Sequence, residues 1–214
     1  MLISQIISNP IFILYFLAAL IVAITIHEFS HALVANFLGD PTPARAGRLS
    51  LNPLRHLDPI GTIFLLVAGF GWGKPVYYDP TNLKRGRLDE LIIALSGPLS
   101  NIIVAAIFAI PYRLANSFGL SGIENAFYYD LFNIITELNL ILAVFNLLPI
   151  PPLDGSKILY LFVSEKTRII LDQIGIPILF VLIIISRLSQ FDFLSKFIFG
   201  GVSWLLYLVR IFPG

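Results

Sequence analysis

The sequence predicts an all-α polytopic membrane protein, with about five to six transmembrane helices and a re-entrant or β-hairpin element after the first. Three observations predict it. Of 214 residues, 57% are hydrophobic and only 13% are charged; a soluble domain carries about a quarter charged residues, so this chain cannot coat its own surface and lipid must cover much of it. The apolar residues gather into five runs, each near the roughly 20 helical residues needed to cross a hydrocarbon core. Half of the positive charge is concentrated in one of the connections between them. The same composition sets other bounds. There is no cysteine, which excludes disulfides and thiolate metal ligands. A net charge of +1 argues against a nucleic-acid binder. The length suits one domain spanning 1–214.

The first run, 10–38, contains His27, Glu28 and His31. It lacks a basic leader and a cleavage site of small residues, so it reads as a retained helix rather than a secretory signal. The stretch 60–73 is apolar but short and glycine-rich, and it ends in Lys74-Pro75. It reads as a re-entrant or interfacial hairpin rather than a span, a backbone tolerated at membrane depth only where protein or a cavity satisfies it. The second span, 90–112, is interrupted by Ser96-Gly97-Pro98-Leu99-Ser100-Asn101, and the third covers 131–150. Spans at 169–187 and 196–212 read as C-terminal anchoring helices beyond a core of about 10–160. No linker, repeat or low-complexity run is visible, nor room for an appended soluble domain. Seven of the fourteen Lys and Arg lie in 39–88: Arg45, Arg48, Arg55, Lys74, Lys84, Arg85 and Arg87. The connection 113–130 holds only Arg113. Positive charge marks the cytoplasmic side, which places 39–88 and 154–168 inside, 113–130 outside, the N-terminus outside and the C-terminus inside.

His27-Glu28-Phe29-Ser30-His31 is H-E-x-x-H in an apolar helical context. Residues i and i+4 share a helix face, so both imidazoles can reach one metal ion. Neutral imidazole suits zinc, and zinc lowers the pKa of bound water to about 7. Glu28 is placed to act as general base and later as general acid. Three ionisable groups within five residues of a span would each cost at least roughly 2.5–3.5 kcal/mol near the membrane centre, which disfavours a merely structural reading.

Two histidines leave such a site one protein ligand short. His56 and the acidic residues are the candidates. Asn146-Leu147-Leu148-Pro149-Ile150-Pro151-Pro152-Leu153-Asp154-Gly155 stands out among them, because its prolines end the third span and set Asp154 on unwound chain. The charge-based topology runs spans 10–38 and 131–150 in the same direction, so His27, His31 and Asp154 can converge at one leaflet.

The two motifs together resemble the site-2 protease family of intramembrane zinc proteases. Asn146 to Gly155 matches N-x-x-P-x-P-x-L-D-G at every specified position, and Gly97-Pro98-Leu99-Ser100-Asn101 is similar to the family's G-P-x-x-N. Asn52-Pro53 through His56, Asp58-Pro59 and Gly61, then Gly71 to Val76, resemble a loop of compact prokaryotic members. The likeness covers roughly residues 20 to 160, without the PDZ or CBS domain of many relatives. It implies one zinc per chain held by His27, His31 and Asp154, with Glu28 as general base. It implies single-span membrane proteins as substrates, such as anti-sigma factors or signal-peptide remnants, and a prokaryotic cell membrane as the location.

Asn101 and Asn146 are candidates for binding substrate backbone or a transition-state oxyanion, with interhelical hydrogen bonding as the plainer role. His56 reads as a supporting or capping residue rather than a ligand. The 60–78 hairpin reads equally as a strand edge for an unwound substrate and as a packing element. Two other classes fit parts of the pattern: a non-catalytic helix-binding scaffold of the same fold, which need not keep Glu28, and an ion transporter, which the lack of repeats disfavours.

Overall fold

A computed structural model describes residues 10–68, 71–117, 127–188 and 193–211. Among them the chain forms α1 (Pro10–Phe37), α2 (Thr42–Arg45), α3 (Pro59–Ala68), α4 (Arg87–Ser117), α5 (Phe127–Asn146), α6 (Ser156–Tyr160), α7 (Glu165–Leu188) and α8 (Phe193–Ile211). Short 3₁₀ turns lie at Pro53–Arg55 and Pro80–Asn82. The helix starts follow local chemistry. Pro10 opens α1, where its missing N–H costs nothing. Asp89 and Glu90 sit in the first turn of α4, where negative charge suits the helix dipole. Ser164 Oγ accepts from Thr167 N at the start of α7.

The helices α1, α4 and α5 pack on one another, and α8 lies against α4 and α5. Small side chains at the contacts, Ala19, Ala23, Ala105 and Ala143, are fully buried and let the helix backbones approach closely. Phe16, Leu20 and Ile24 of α1 pack with Leu138 and Leu142 of α5. Ala105 of α4, Leu140 and Val144 of α5, and Val202 of α8 form a second cluster.

Helices form over most of each of the five predicted spans. Among the described residues, three are long and apolar enough to cross a membrane: Ile11–Phe37, Arg87–Pro111 and Glu165–Ser186, with Leu194–Val209 a shorter apolar helix. Helix α5 falls short on apolarity because it carries Asp130, Asn133, Thr136, Glu137, Asn139 and Asn146. Thr136 and Asn139 are buried, so part of that polarity faces protein instead of lipid.

The predicted β-hairpin takes another form. Residues 59–68 are the helix α3. Asp58 explains its start: its Oδ1 accepts from Gly61 N at 2.8 Å and its carbonyl from Thr62 N at 2.9 Å. The two arms flanking α3 still meet, through an antiparallel bridge between Leu57 and Gly73 and a hydrogen bond from Lys74 N to His56 O at 2.7 Å. Residues 69 and 70 of the predicted hairpin lie outside the described residues.

Two buried charges hold this connection in shape. Asp40, fully buried, accepts from Thr42 N and Oγ1, Asp79 N and Asn82 Nδ2. Burial pushes its carboxyl up, but those hydrogen bonds outweigh burial and leave it below the usual carboxylate range. Arg48, also buried, donates to the carbonyls of Arg55, Lys74 and Pro75. Burial lowers the pKa of its guanidinium, and the charge of Glu28 opposes that shift.

Candidate metal centre

Helix α1 places His27 and His31 one turn apart on its buried face, their rings edge-to-face with centroids 4.6 Å apart. Helix α4 sets how they point. His31 Nδ1 donates to Ile93 O at 2.7 Å, and His27 Nδ1 lies 2.6 Å from Asn101 Oδ1. Pro98 sits inside α4 and removes one N–H from its ladder. Gly97, one residue earlier, admits the imidazoles: a Cβ built there would lie 2.5 Å from His31 Nε2 and 2.6 Å from His27 Cε1. No side chain fits at that distance.

The third group arrives from the turn after α5. Gly155 N donates to Asn146 O at 2.7 Å and Leu153 N to Ile150 O at 2.9 Å, folding the proline-rich segment back on the end of its helix. A Cβ on Gly155 would meet Leu147 O at 2.2 Å, so the turn requires glycine. Leu148 and Leu153 pack with Leu179 of α7, which braces the turn from the other side. Asp154 Oδ2 ends 3.2 Å from His27 Nε2 and 3.3 Å from His31 Nε2, and the two nitrogens are 3.1 Å apart.

These spacings fit a tetrahedral zinc. Bonds of about 2.0 Å at tetrahedral angles put neighbouring donor atoms roughly 3.3 Å apart. The hydrogen bonds agree. Each Nδ1 faces a carbonyl-type oxygen and so carries the proton, which leaves both Nε2 atoms as lone-pair donors. Asp154 Oδ2 is buried with no hydrogen-bond partner. Three lone pairs converging on one buried point repel one another unless a cation is shared between them. Among the described residues, these three are the group of histidine and carboxylate side chains that could hold a metal ion.

Glu28 is half-buried beside this centre. A Cβ on Gly73 would lie 3.4 Å from its Oε1 and 3.3 Å from His56 O, so the extended segment after α3 passes directly over it. His56 stands apart from the three converging donors: it is fully buried, and its Nε2 lies 2.6 Å from Ser50 O. Asn101 is fully buried with both ends of its amide engaged by protein, Oδ1 by His27 and Nδ2 by Ala23 O and Asn139 Oδ1. Asn146 is half-buried and donates to Leu142 O of its own helix at 3.0 Å. Sequence reasoning missed the Ile93 carbonyl, Asn139 and the bracing role of Arg48. A backbone carbonyl leaves no sequence signal; Asn139, a polar residue in the middle of a predicted span, does.

The chain is similar to proteins named as zinc metalloproteases. The profile of peptidase family M50 matches residues 121–186, which include the Asp154 turn. YwhC of Bacillus subtilis, whose name gives it an inferred zinc metalloprotease activity, is 44% identical over 157 residues, covering 72% of this chain and 71% of that protein. Rip2 of Mycolicibacterium smegmatis, named in the same way, is 30% identical over 205 residues, 87% of this chain and 74% of its own. Zinc metalloprotease MJ0392 of Methanocaldococcus jannaschii is 26% identical over 162 residues, 76% of this chain but 38% of its own greater length. No solved structure gives a significant match. A relative at this identity and coverage, together with the two motifs, shows that the chain belongs to peptidase family M50, the site-2 protease family.

Proposed function

We propose that this protein is a zinc metalloendopeptidase that hydrolyses peptide bonds in or beside the transmembrane segments of other membrane proteins. The observation that carries the reading is the convergence of His27 Nε2, His31 Nε2 and Asp154 Oδ2 within 3.1–3.3 Å of one another, with Glu28 adjacent. The zinc metalloprotease names of the relatives support it. When bound, zinc supplies a Lewis acid that polarises a carbonyl and acidifies water. His27, His31 and Asp154 hold it. Glu28 takes the proton from the attacking water and returns it to the departing amide nitrogen. Past Gly73, where a Cβ would lie beside Glu28 Oε1, the extended chain leads to Val76, Tyr77 and Tyr78, whose backbone groups would serve an unwound substrate. In this reading α5 and α8 also span the bilayer, α3 re-enters it from the inner face, and the active site lies toward the cytoplasmic leaflet of a prokaryotic cell membrane.

The test uses detergent-purified full-length chain, elemental analysis for zinc, and a single-span model substrate reconstituted with the enzyme. About one zinc per chain is expected in wild type and markedly less in Asp154→Ala. Glu28→Gln should keep its zinc and lose at least 10²-fold in cleavage rate, on the order expected for a general base. Cleavage retained by Glu28→Gln would overturn the mechanism. A well-folded wild type without zinc would instead favour a helix-binding scaffold.

A further inference from the structure

The hydrogen-bond chain behind His27 has a direction. Backbone carbonyls only accept, so the two that terminate the chain fix which end of each amide is nitrogen. Asn139 Nδ2 donates to Ile135 O at 2.8 Å, and Asn101 Nδ2 donates to Ala23 O at 3.0 Å. Asn139 Oδ1 is then the atom left to accept from Asn101 Nδ2, at 2.8 Å, and Asn101 Oδ1 the atom left to face His27 Nδ1, at 2.6 Å. An oxygen there can only accept, so His27 carries its proton on Nδ1 and turns a bare Nε2 toward Asp154. Flipping the Asn101 amide would set its nitrogen against His27 Nδ1 and its oxygen against Ala23 O, placing that pair of acceptors face to face. Both asparagines are fully buried, so water cannot rescue the flipped state. The chain also ties α5 and α4 to α1 at the depth of the ligands.

We propose that Asn139, acting through Asn101, is a positioning residue that fixes the tautomer and ring plane of His27 for metal binding. The proposal rests on the zinc-site reading above, and it gives Asn101 a supporting role in place of contact with substrate. Interhelical packing alone would not require either amide to hold one orientation, whereas this role does.

The experiment uses full-length chain labelled with ¹⁵N-histidine. The three histidines keep the spectrum assignable, and the metal-free form reports the His27 tautomer directly. Zinc affinity is measured in parallel by competition with a chelator. Wild type should show His27 protonated at Nδ1. Asn101→Leu should convert it to a mixture of tautomers and weaken zinc binding by about 10–100-fold, the usual scale for losing a partner of a ligating histidine. Asn139→Leu, which leaves Asn101 with one of its two tethers, should move both readouts the same way, by about tenfold in affinity. Unchanged tautomer and affinity in folded Asn139→Leu would overturn the proposal even if Asn101→Leu fails to fold. A wild type that binds no zinc would overturn the ligand set, and the relay with it; normal affinity in the variants would overturn the relay alone.

Discussion

Gly97 sets how closely α4 can approach the two imidazoles. Its missing side chain is the space that the His27 and His31 rings occupy, and a methyl group there would overlap both at 2.5–2.6 Å. Neither ring can retreat easily, because each is tied back through Nδ1. Gly97→Ala is therefore expected to reduce zinc affinity by at least roughly tenfold while leaving the membrane helices formed, measured by zinc titration beside circular dichroism. Wild-type affinity would mean that α4 can shift away from α1 without cost. This scale was the most legible in the sequence. His27 and His31 stand four residues apart in one helix, so spacing alone predicts their common face, and Glu28 follows His27 directly. Asp154 was legible through the prolines that unwind its segment. The roles of Asn101 and Asn139 were not, because whether a buried amide serves a substrate or a ligand depends on which atoms face it across helices.

At the scale of elements, the connection between α1 and α4 shows how a polar loop is held against an apolar core. Asp40 gathers donors from two segments, 40–42 and 79–82, so its ionised form is favoured by folding. A carboxyl held below its unfolded value contributes stability that is fully present above that value and is lost as pH falls through the folded one. That loss begins below about pH 4. Asp40→Asn should lower the Tm by about 5 °C at neutral pH, since an amide nitrogen would face a backbone N–H. It should also remove part of the wild-type fall in Tm between pH 5 and pH 3. An identical acid-induced fall in both proteins would show that Asp40 is not the group concerned. The helix α3 was illegible for a related reason. Its apolar, glycine-bearing sequence fits a buried strand or a helix segment equally by periodicity, and the Asp58 hydrogen bonds that start the helix act across a turn that apolar pattern does not encode.

At the scale of the whole molecule, the metal centre and the membrane topology constrain each other. Helix α1 has 28 residues and is about 42 Å long, longer than a hydrocarbon core of about 30 Å. His27 lies ten residues before its last residue, Phe37, or about 15 Å from that end. Asp154 reaches His27 from the C-terminal end of α5, so α5 must run in the same direction as α1, and α4 must return the chain between them. Charge alone predicts the same arrangement, from seven basic residues in 39–88 against one in 113–130. The polar side chains of α5 obscure its span in composition, yet if α5 failed to cross, the segment after Asp154 would lie on the side opposite to 39–88. The chain contains no cysteine, so single substitutions at exposed positions report sidedness without background. Lys84→Cys and Lys166→Cys should react with a membrane-impermeant maleimide in inverted vesicles only, and Asp130→Cys in right-side-out vesicles only. Labelling of Lys84→Cys and Lys166→Cys from opposite sides would break the topology, and a ligand set that draws on both α1 and the Asp154 turn would then need a different path for the chain.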